Sequence, residues 1–316
     1  MSSIIKMFNY FIFEPIKKKR LSLIPLRIAQ VLHDRTAGRS NASFRRLGKM
    51  LWPKIILPPS SQMNEEAITA STNKINQRGW DILPYQMSAS DILELRRFAF
   101  STSCYANNPD EKIRITEGSI PNDSGLYVWR MTDLFQLPVI QRLLKESPLH
   151  DIAERYIGSR PTLTSLSLWL NPVYNKKFDA HIYHYDNDGP AFLKFFIYLN
   201  DVDMDSGAHV YIESSQREGK PDFLSRSKRY DRSELLNYYG TEKEIIFSAP
   251  AGTIIAEDTS GFHKGTTPKK NYRLLLVVQY AMFDIPHIEE FSPDFKKIHI
   301  EGLNPAIKQI CRKFVT

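Results

Sequence analysis

Residues 181–190 read His181-Ile182-Tyr183-His184-Tyr185-Asp186-Asn187-Asp188-Gly189-Pro190, and the triplet His184-Tyr185-Asp186 decides how the rest of the chain is read. In a β-strand residues i and i+2 share a face, so His184 and Asp186 can both point into one cavity while Tyr185 points away. A third donor must come from elsewhere. His263 lies 79 positions on, after the apolar run Gly252-Thr253-Ile254-Ile255-Ala256 and a short turn, which suits delivery from a separate strand of a closed sheet. Two histidines and one carboxylate hold Fe(II) on one face and leave the opposite positions open for oxygen chemistry. Ten residues further, Arg273 opens the run Arg273-Leu274-Leu275-Leu276-Val277-Val278-Gln279-Tyr280, too continuously apolar for a strand with a wet face. A guanidinium at the head of such a strand needs an anion. A dicarboxylate that chelates the metal at one end presents its far carboxylate there, and Arg grips a carboxylate with two parallel hydrogen bonds.

With these residues in place the chain resembles the phytanoyl-CoA dioxygenase-like branch of the Fe(II)/2-oxoglutarate-dependent oxygenases, roughly from Gly79 to Tyr280. The resemblance rests on Gly79-Trp80-Asp81-Ile82-Leu83-Pro84, His184-Tyr185-Asp186, and Phe196-Ile197-Tyr198-Leu199-Asn200-Asp201-Val202-Asp203 leading to Gly207. Asp258-Thr259 before His263-Lys264-Gly265, Tyr272-Arg273-Leu274 and Gln279-Tyr280 complete it. It implies that His184, Asp186 and His263 are the iron ligands and Arg273 the 2-oxoglutarate anchor. It also implies O2 as co-reactant, with succinate and CO2 as co-products. The chain departs from the family where a Gly-Ser-His segment is usual after Gly207; here Glu213-Ser214-Ser215-Gln216 stands instead. Related halogenases replace the carboxylate ligand with a small residue, so the presence of Asp186 implies hydroxylation.

Other residues compete for these roles. A His-x-Asp triplet alone is a weak signal, since charged triplets are common in turns; the weight comes from its combination with His263, Arg273 and the strand pattern around them. His181 falls on the opposite face of a regular strand and is read as supporting or surface, and His209, just after Gly207, as structural. Asp188 falls in a turn with Asn187, Gly189 and Pro190. Lys194 sits inside the almost wholly apolar run 191–199, where an isolated ammonium is costly; it either binds cosubstrate or substrate or forms a structural pair. Asp258 is read as an orienting hydrogen-bonding group.

Charge is unevenly placed. Residues 1–54 hold 12 Lys and Arg against two acids, a balance of +10, whereas the remainder carries −3. Ile4, Ile5, Met7, Phe8, Tyr10, Phe11, Ile12 and Phe13 precede Lys17-Lys18-Lys19-Arg20, and Ile24, Ile28, Val31 and Leu32 recur at helical spacing beside Arg27 and Arg35. Two readings stand: a helix lying on an anionic membrane surface, or a basic extension packing its apolar face on the following domain. No recognised nucleic-acid module accompanies the charge, which argues against nucleic acid as a partner. The first residues do not form a signal peptide, because the basic cluster follows the apolar stretch, and no run approaches 18 apolar residues. Two distant cysteines, Cys104 and Cys311, give neither a metal spacing nor a disulfide framework and favour a reducing compartment. The expected location is the cytoplasm, peripheral on the inner face of the membrane.

At 316 residues and 42% hydrophobic the chain can bury a large core. The expected division is a basic extension over 1–60 and an oxygenase domain over 61–316. Within the latter, helices over 62–156 lead into a mainly β double-stranded β-helix (jelly-roll, cupin-like) core over about 160–285 and a C-terminal tail. Ser90 is expected to cap a helix beginning Asp91-Ile92-Leu93-Glu94. Pro148 splits 138–156 into two short helices. The stretch 162–170 alternates as a strand, and the charged, Ser- and Tyr-rich 220–241 reads as an inserted lid or loop. Two other classes remain: a cupin-like isomerase with the same ligands, which leaves Arg273 unexplained, and an inactive membrane-associated binding protein, which leaves the complete triad unexplained. The substrate is expected to be a small-molecule, lipid-linked or glycan-type compound; no oligomeric state follows from the sequence.

Overall fold

The computed structural model describes residues 24–36, 38, 40–51, 54, 62–106, 112–176, 178–217, 229–285 and 297–316. In chain order the helices and strands are α1 (Ile24–Thr36), α2 (Asn41–Leu51), α3 (Glu65–Arg78), β1 (Trp80–Ile82), α4 (Ala89–Ser101), β2 (Ser103–Tyr105), β3 (Lys112–Arg114) and β4 (Tyr127–Trp129). There follow α5 (Met131–Leu134), α6 (Pro138–Glu146), α7 (Leu149–Ile157), β5 (Thr162–Asn171), β6 (Phe192–Tyr198), β7 (His209–Ile212), α8 (Arg232–Tyr239), β8 (Glu244–Phe247), β9 (Ile254–Glu257), β10 (His263–Gly265), β11 (Arg273–Ala281) and α9 (Pro305–Ile310).

Among the described residues the strands form an eight-stranded antiparallel sheet, ordered β1-β9-β6-β11-β5-β4-β2-β3, facing a three-stranded sheet ordered β10-β7-β8. This is the double-stranded β-helix expected from the sequence. Its central strands β6 and β11 are mostly apolar and almost wholly buried because both faces are covered. On β11 the outward set Leu274, Leu276, Val278 and Tyr280 joins the helix-side core with Leu166, Leu168 and Leu170 of β5 and Leu193, Phe195 and Ile197 of β6. The inward set, Leu275 and Val277, packs with Phe196, Tyr198 and Ile255 against the small sheet's Tyr211 and Phe247. Strand alternation thus divides one unbroken apolar run between two cores.

Pro148 does separate α6 from α7, and Pro138 occupies the first turn of α6, where its missing N–H costs nothing. The helix at 89 starts earlier than expected. Ser88, in extended backbone, accepts from the Asp91 N–H at 3.2 Å and is the N-cap, while the Ser90 hydroxyl is engaged with that of Ser88. In the 220–241 stretch, residues 220–228 lie outside the described residues; most of the rest is helix α8, whose Leu235, Leu236 and Tyr239 pack with Tyr183, Tyr185 and Phe262. That portion is a packed wall rather than a loop, because its apolar residues recur at helical spacing between the charges.

Residues 1–23, including the basic cluster Lys17-Lys18-Lys19-Arg20, lie outside the described residues. Helices α1 and α2 do pack on the rest of the chain. Leu26 and Ala29 are buried, and Gln30 Nε2 donates to the Asn187 carbonyl at 2.6 Å while Asn187 Nδ2 returns a bond to the Gln30 carbonyl at 3.1 Å. Arg45 Nε donates to the Pro190 carbonyl at 2.7 Å. Both helices therefore grip the segment that follows Asp186. No helix among the described residues is long and apolar enough to cross a membrane.

Candidate metal and dicarboxylate site

His184 and Asp186 lie not in a regular strand but in an extended segment stitched to β10. His184 N–H donates to the His263 carbonyl at 3.0 Å, His263 N–H returns a bond at 2.8 Å, and Asp186 N–H donates to Thr259 at 2.8 Å. This reciprocal bridge brings together two residues 79 positions apart, with ring centroids 4.4 Å from each other. One donor atom from each of His184, Asp186 and His263 lies within 4.8 Å of the others, close enough to hold a single metal ion.

The histidines are oriented for that task. His184 Nδ1 contacts the Ile182 carbonyl at 2.8 Å and His263 Nδ1 the Gly261 carbonyl at 3.0 Å. A carbonyl only accepts, so each Nδ1 carries the proton and each Nε2 keeps its lone pair for a metal. Burial lowers the pKa of both rings, His263 well below the usual imidazole range, which keeps them neutral and ligand-competent. The segment that departs from the family pattern supports this arrangement: the Ser215 hydroxyl accepts from the Phe262 N–H at 2.8 Å, fixing the backbone just before His263.

Asp186 is balanced by Lys194. Nζ donates to Asp186 Oδ2 at 2.6 Å and lies 3.4 Å from Asp188 Oδ2, which also accepts from Gln279 Nε2 at 3.1 Å. Burial pushes the Asp186 carboxyl pKa up, but Lys194 together with the neighbouring His263 and His184 outweighs it and holds the group ionised; the two carboxylates in turn outweigh burial at Lys194 and raise its pKa. Of the roles open to Lys194 in the sequence, the structure shows the ion pair, formed beside the cavity. Asp188 belongs to this pair and not to the three-donor group. Asp258 matches its expected orienting role: it accepts from the Tyr156 hydroxyl and, at 3.0 Å, from the Ser260 N–H.

A cavity of about 120 Å³ opens in front of the three donors, lined by Trp169, Phe196, Tyr198, His209, Gly265 and Leu275 besides His184, Asp186, Lys194, His263 and Arg273. Arg273 is 6% exposed. Its Nη1 donates to the Gly207 carbonyl at 2.6 Å and its Nη2 to Asn171 Oδ1 at 2.9 Å, both neutral acceptors. No carboxylate lies within ion-pair distance of it among the described residues, and burial lowers its pKa. A buried guanidinium balanced only by neutral groups fits an anionic ligand. Gly265 leaves it room, since a Cβ there would stand 2.5 Å from Nη2.

His181 sits on a 3-10 turn, Asp179–His181, rather than on a strand face, and its Nδ1 meets the Thr267 hydroxyl at 3.1 Å. His209 is more than structural in placement, because it lines the cavity. The sequence concealed this: Asn171, Tyr198 and His209 reach the site from three strands, and only strand alternation aligned with Arg273 marks the first two.

No family model matches the chain, and no curated protein does. Among solved structures it is similar to the non-heme alpha ketoglutarate dependent epimerase SnoN from nogalamycin biosynthesis (TM-score 0.51, 17% identity, covering 70% of this chain and 84% of that one). It is likewise similar to EctD from S. alaskensis, solved with 2-oxoglutarate and 5-hydroxyectoine (TM-score 0.51, 18% identity, 73% and 86% covered). At these identities the likeness is one of fold.

Proposed function

We propose that the chain is an Fe(II)- and 2-oxoglutarate-dependent dioxygenase, of phytanoyl-CoA dioxygenase-like type, that hydroxylates a small-molecule, lipid-linked or glycan-type substrate. The observation that carries the reading is Arg273: a buried cation facing the same cavity as a two-histidine, one-carboxylate donor set, with no carboxylate of its own among the described residues. A metal-only isomerase leaves that charge without purpose. The structurally similar SnoN and EctD carry 2-oxoglutarate chemistry on this fold, which supports the same cosubstrate here.

In this reading His184 and His263 would bind iron through Nε2 and Asp186 through its carboxylate, which Lys194 holds in place. When bound, the iron and 2-oxoglutarate together supply O2 reduction coupled to oxidative decarboxylation, yielding succinate, CO2 and the oxidising power for a substrate C–H bond. Arg273 would hold the far carboxylate of the cosubstrate. Trp169, Phe196 and Leu275 keep water from the reacting face. The peptide bridge between His184 and His263 holds two of the three donors without relying on side-chain packing.

The basic N-terminal part, 1–54, is proposed as a peripheral contact with anionic lipid at the inner face of the membrane. On α2 the apolar Leu47, Met50 and Leu51 are 48%, 80% and 58% exposed on one face, beside exposed Arg46 and Lys49 and with no acid in the helix. The test of the activity is an untargeted metabolite search with pure protein, Fe(II), 2-oxoglutarate and O2. A metabolite gaining one oxygen with stoichiometric succinate supports hydroxylation; a product of unchanged mass formed with succinate overturns it in favour of stereochemical inversion.

A further inference from the structure

His209 and Glu257 form a buried pair that the three-donor site does not use. His209 Nε2 lies 2.8 Å from Glu257 Oε2; the imidazole side chain is 7% exposed and the carboxyl side chain 0%. Glu257 stands directly across from Lys194 on neighbouring strands, so both share the inward face. The imidazole packs against Phe196, 4.6 Å from centroid to centroid, and Phe247, at 6.0 Å, both rings within about 32° of its plane, which limits its freedom to turn. With Nε2 committed to Glu257, Nδ1 is the nitrogen left for the cavity, and no protein group among the described residues bonds to it. Nδ1 is not among the fully buried polar atoms left without a partner, so it borders open space at the cavity, where a ligand atom can meet it.

The position of the ring says which ligand. Gly207, two residues before His209 on the same segment, accepts from Arg273 Nη1. Gly265, paired with His209 across β7 and β10, borders the guanidinium, and His263, two residues before Gly265, is one of the three donors. The His209 ring lies 5.7 Å from the His263 ring, centroid to centroid. Between a metal at His263 and an anion at Arg273, His209 therefore flanks the path a short dicarboxylate must follow.

We infer that His209, held by Glu257, is a third anchor for the 2-oxoacid cosubstrate, meeting a carboxylate or keto oxygen through Nδ1. The inference rests on the oxygenase reading and adds a residue of this chain to it. No covalent bond is made or broken in the step: the buried Glu257 carboxyl, whose pKa burial raises well above the usual range, keeps its proton and donates it to Nε2, so the single imidazole proton sits on Nδ1 and Nδ1–H donates to a ligand oxygen, while Glu257, Phe196 and Phe247 hold the ring in place.

The test is calorimetric binding of Fe(II), and then of 2-oxoglutarate, to the anaerobic full chain and to two variants. His209→Phe removes the donor while keeping a flat ring between Phe196 and Phe247. His209→Asn places an amide N–H near the position of Nδ1. The expected result is a Kd for 2-oxoglutarate raised about tenfold to a hundredfold in His209→Phe, the range for a hydrogen bond to a charged group, and restored to within about threefold in His209→Asn. The Fe(II) Kd should be the same in all three proteins, which also reports an intact site. If His209→Phe binds 2-oxoglutarate like the wild type, or if both variants lose Fe(II) in step with 2-oxoglutarate, the inference is overturned. If the wild type binds Fe(II) but no 2-oxoglutarate, the oxygenase reading itself fails, a result distinct from either.

Discussion

Replacing Arg273 probes the dicarboxylate end of the cavity without touching the metal donors. Its guanidinium is 6% exposed and bonds to neutral groups, the Gly207 carbonyl and Asn171 Oδ1 among them, so no protein carboxylate can take over its charge among the described residues. In the proposed complex with 2-oxoglutarate it would become one half of a shielded ion pair. Removing one partner from such a pair costs about 3–5 kcal/mol, or on the order of a hundredfold to a few thousandfold in Kd. Arg273→Ala should weaken 2-oxoglutarate by that factor and leave the Fe(II) Kd within about threefold. Arg273→Lys keeps a charge but loses the planar fork, and should fall between the two. Because Arg273→Ala also strips a donor from Asn171 and Gly207, its thermal midpoint should drop, and binding is read at a temperature where both proteins are folded. The assay is calorimetric titration of 2-oxoglutarate into anaerobic, Fe(II)-loaded protein. An unchanged 2-oxoglutarate isotherm refutes the role of Arg273 and with it the argument from uncompensated charge.

Lys194→Met leaves Asp186 and Asp188 facing each other without their cation, so the metal-free protein should lose about 3–5 kcal/mol of stability in urea unfolding; saturating Fe(II) should return most of it, and an equal loss with and without metal would contradict the pairing. His150 is fully buried and its pKa is pushed down to about 4 by burial. The unfolded chain takes up a proton near the ordinary imidazole value while the folded chain does not, so stability should fall as pH drops from about 6.5 to 4, by up to about 1.4 kcal/mol per pH unit. His150→Gln should flatten that slope in urea midpoints compared at pH 7 and pH 5, and an unaltered slope would assign the loss to other groups. Full-length protein should sediment with anionic but not neutral vesicles, less so at high salt; Met50→Asp with Lys49→Glu should weaken this, and failure of the intact protein to sediment at low salt would leave packing as the only role of the N-terminal helices.

The site was legible in the sequence to the extent that its signals were local. His184 and Asp186 announce a shared face by their spacing, and Arg273 announces itself by heading an apolar run. Contacts made by long-range topology stayed hidden. Nothing local pairs His209 with Glu257, 48 residues away on the other sheet, or tells that Gln30 and Arg45 grip the loop after Asp186. The sequence required a partner for Lys194 but could not choose between Asp186, Asp188 and a ligand; the structure supplies both carboxylates. Ser88 and Ser90 are equally good caps by composition, and backbone geometry decides for Ser88. The strand expected to carry His184 and Asp186 is instead a pair of isolated bridges, Tyr183 to Tyr230 and His184 to His263, rather than one continuous ladder.

The central claim, that His184, Asp186 and His263 hold the iron on which the cosubstrate binds, is tested most directly by sequential anaerobic titration. The full chain should bind one Fe(II), and 2-oxoglutarate should bind only after it. His184→Ala and His263→Ala, folded by circular dichroism, should bind neither. Full Fe(II) occupancy in either variant, or 2-oxoglutarate binding of equal strength without metal, would contradict the account.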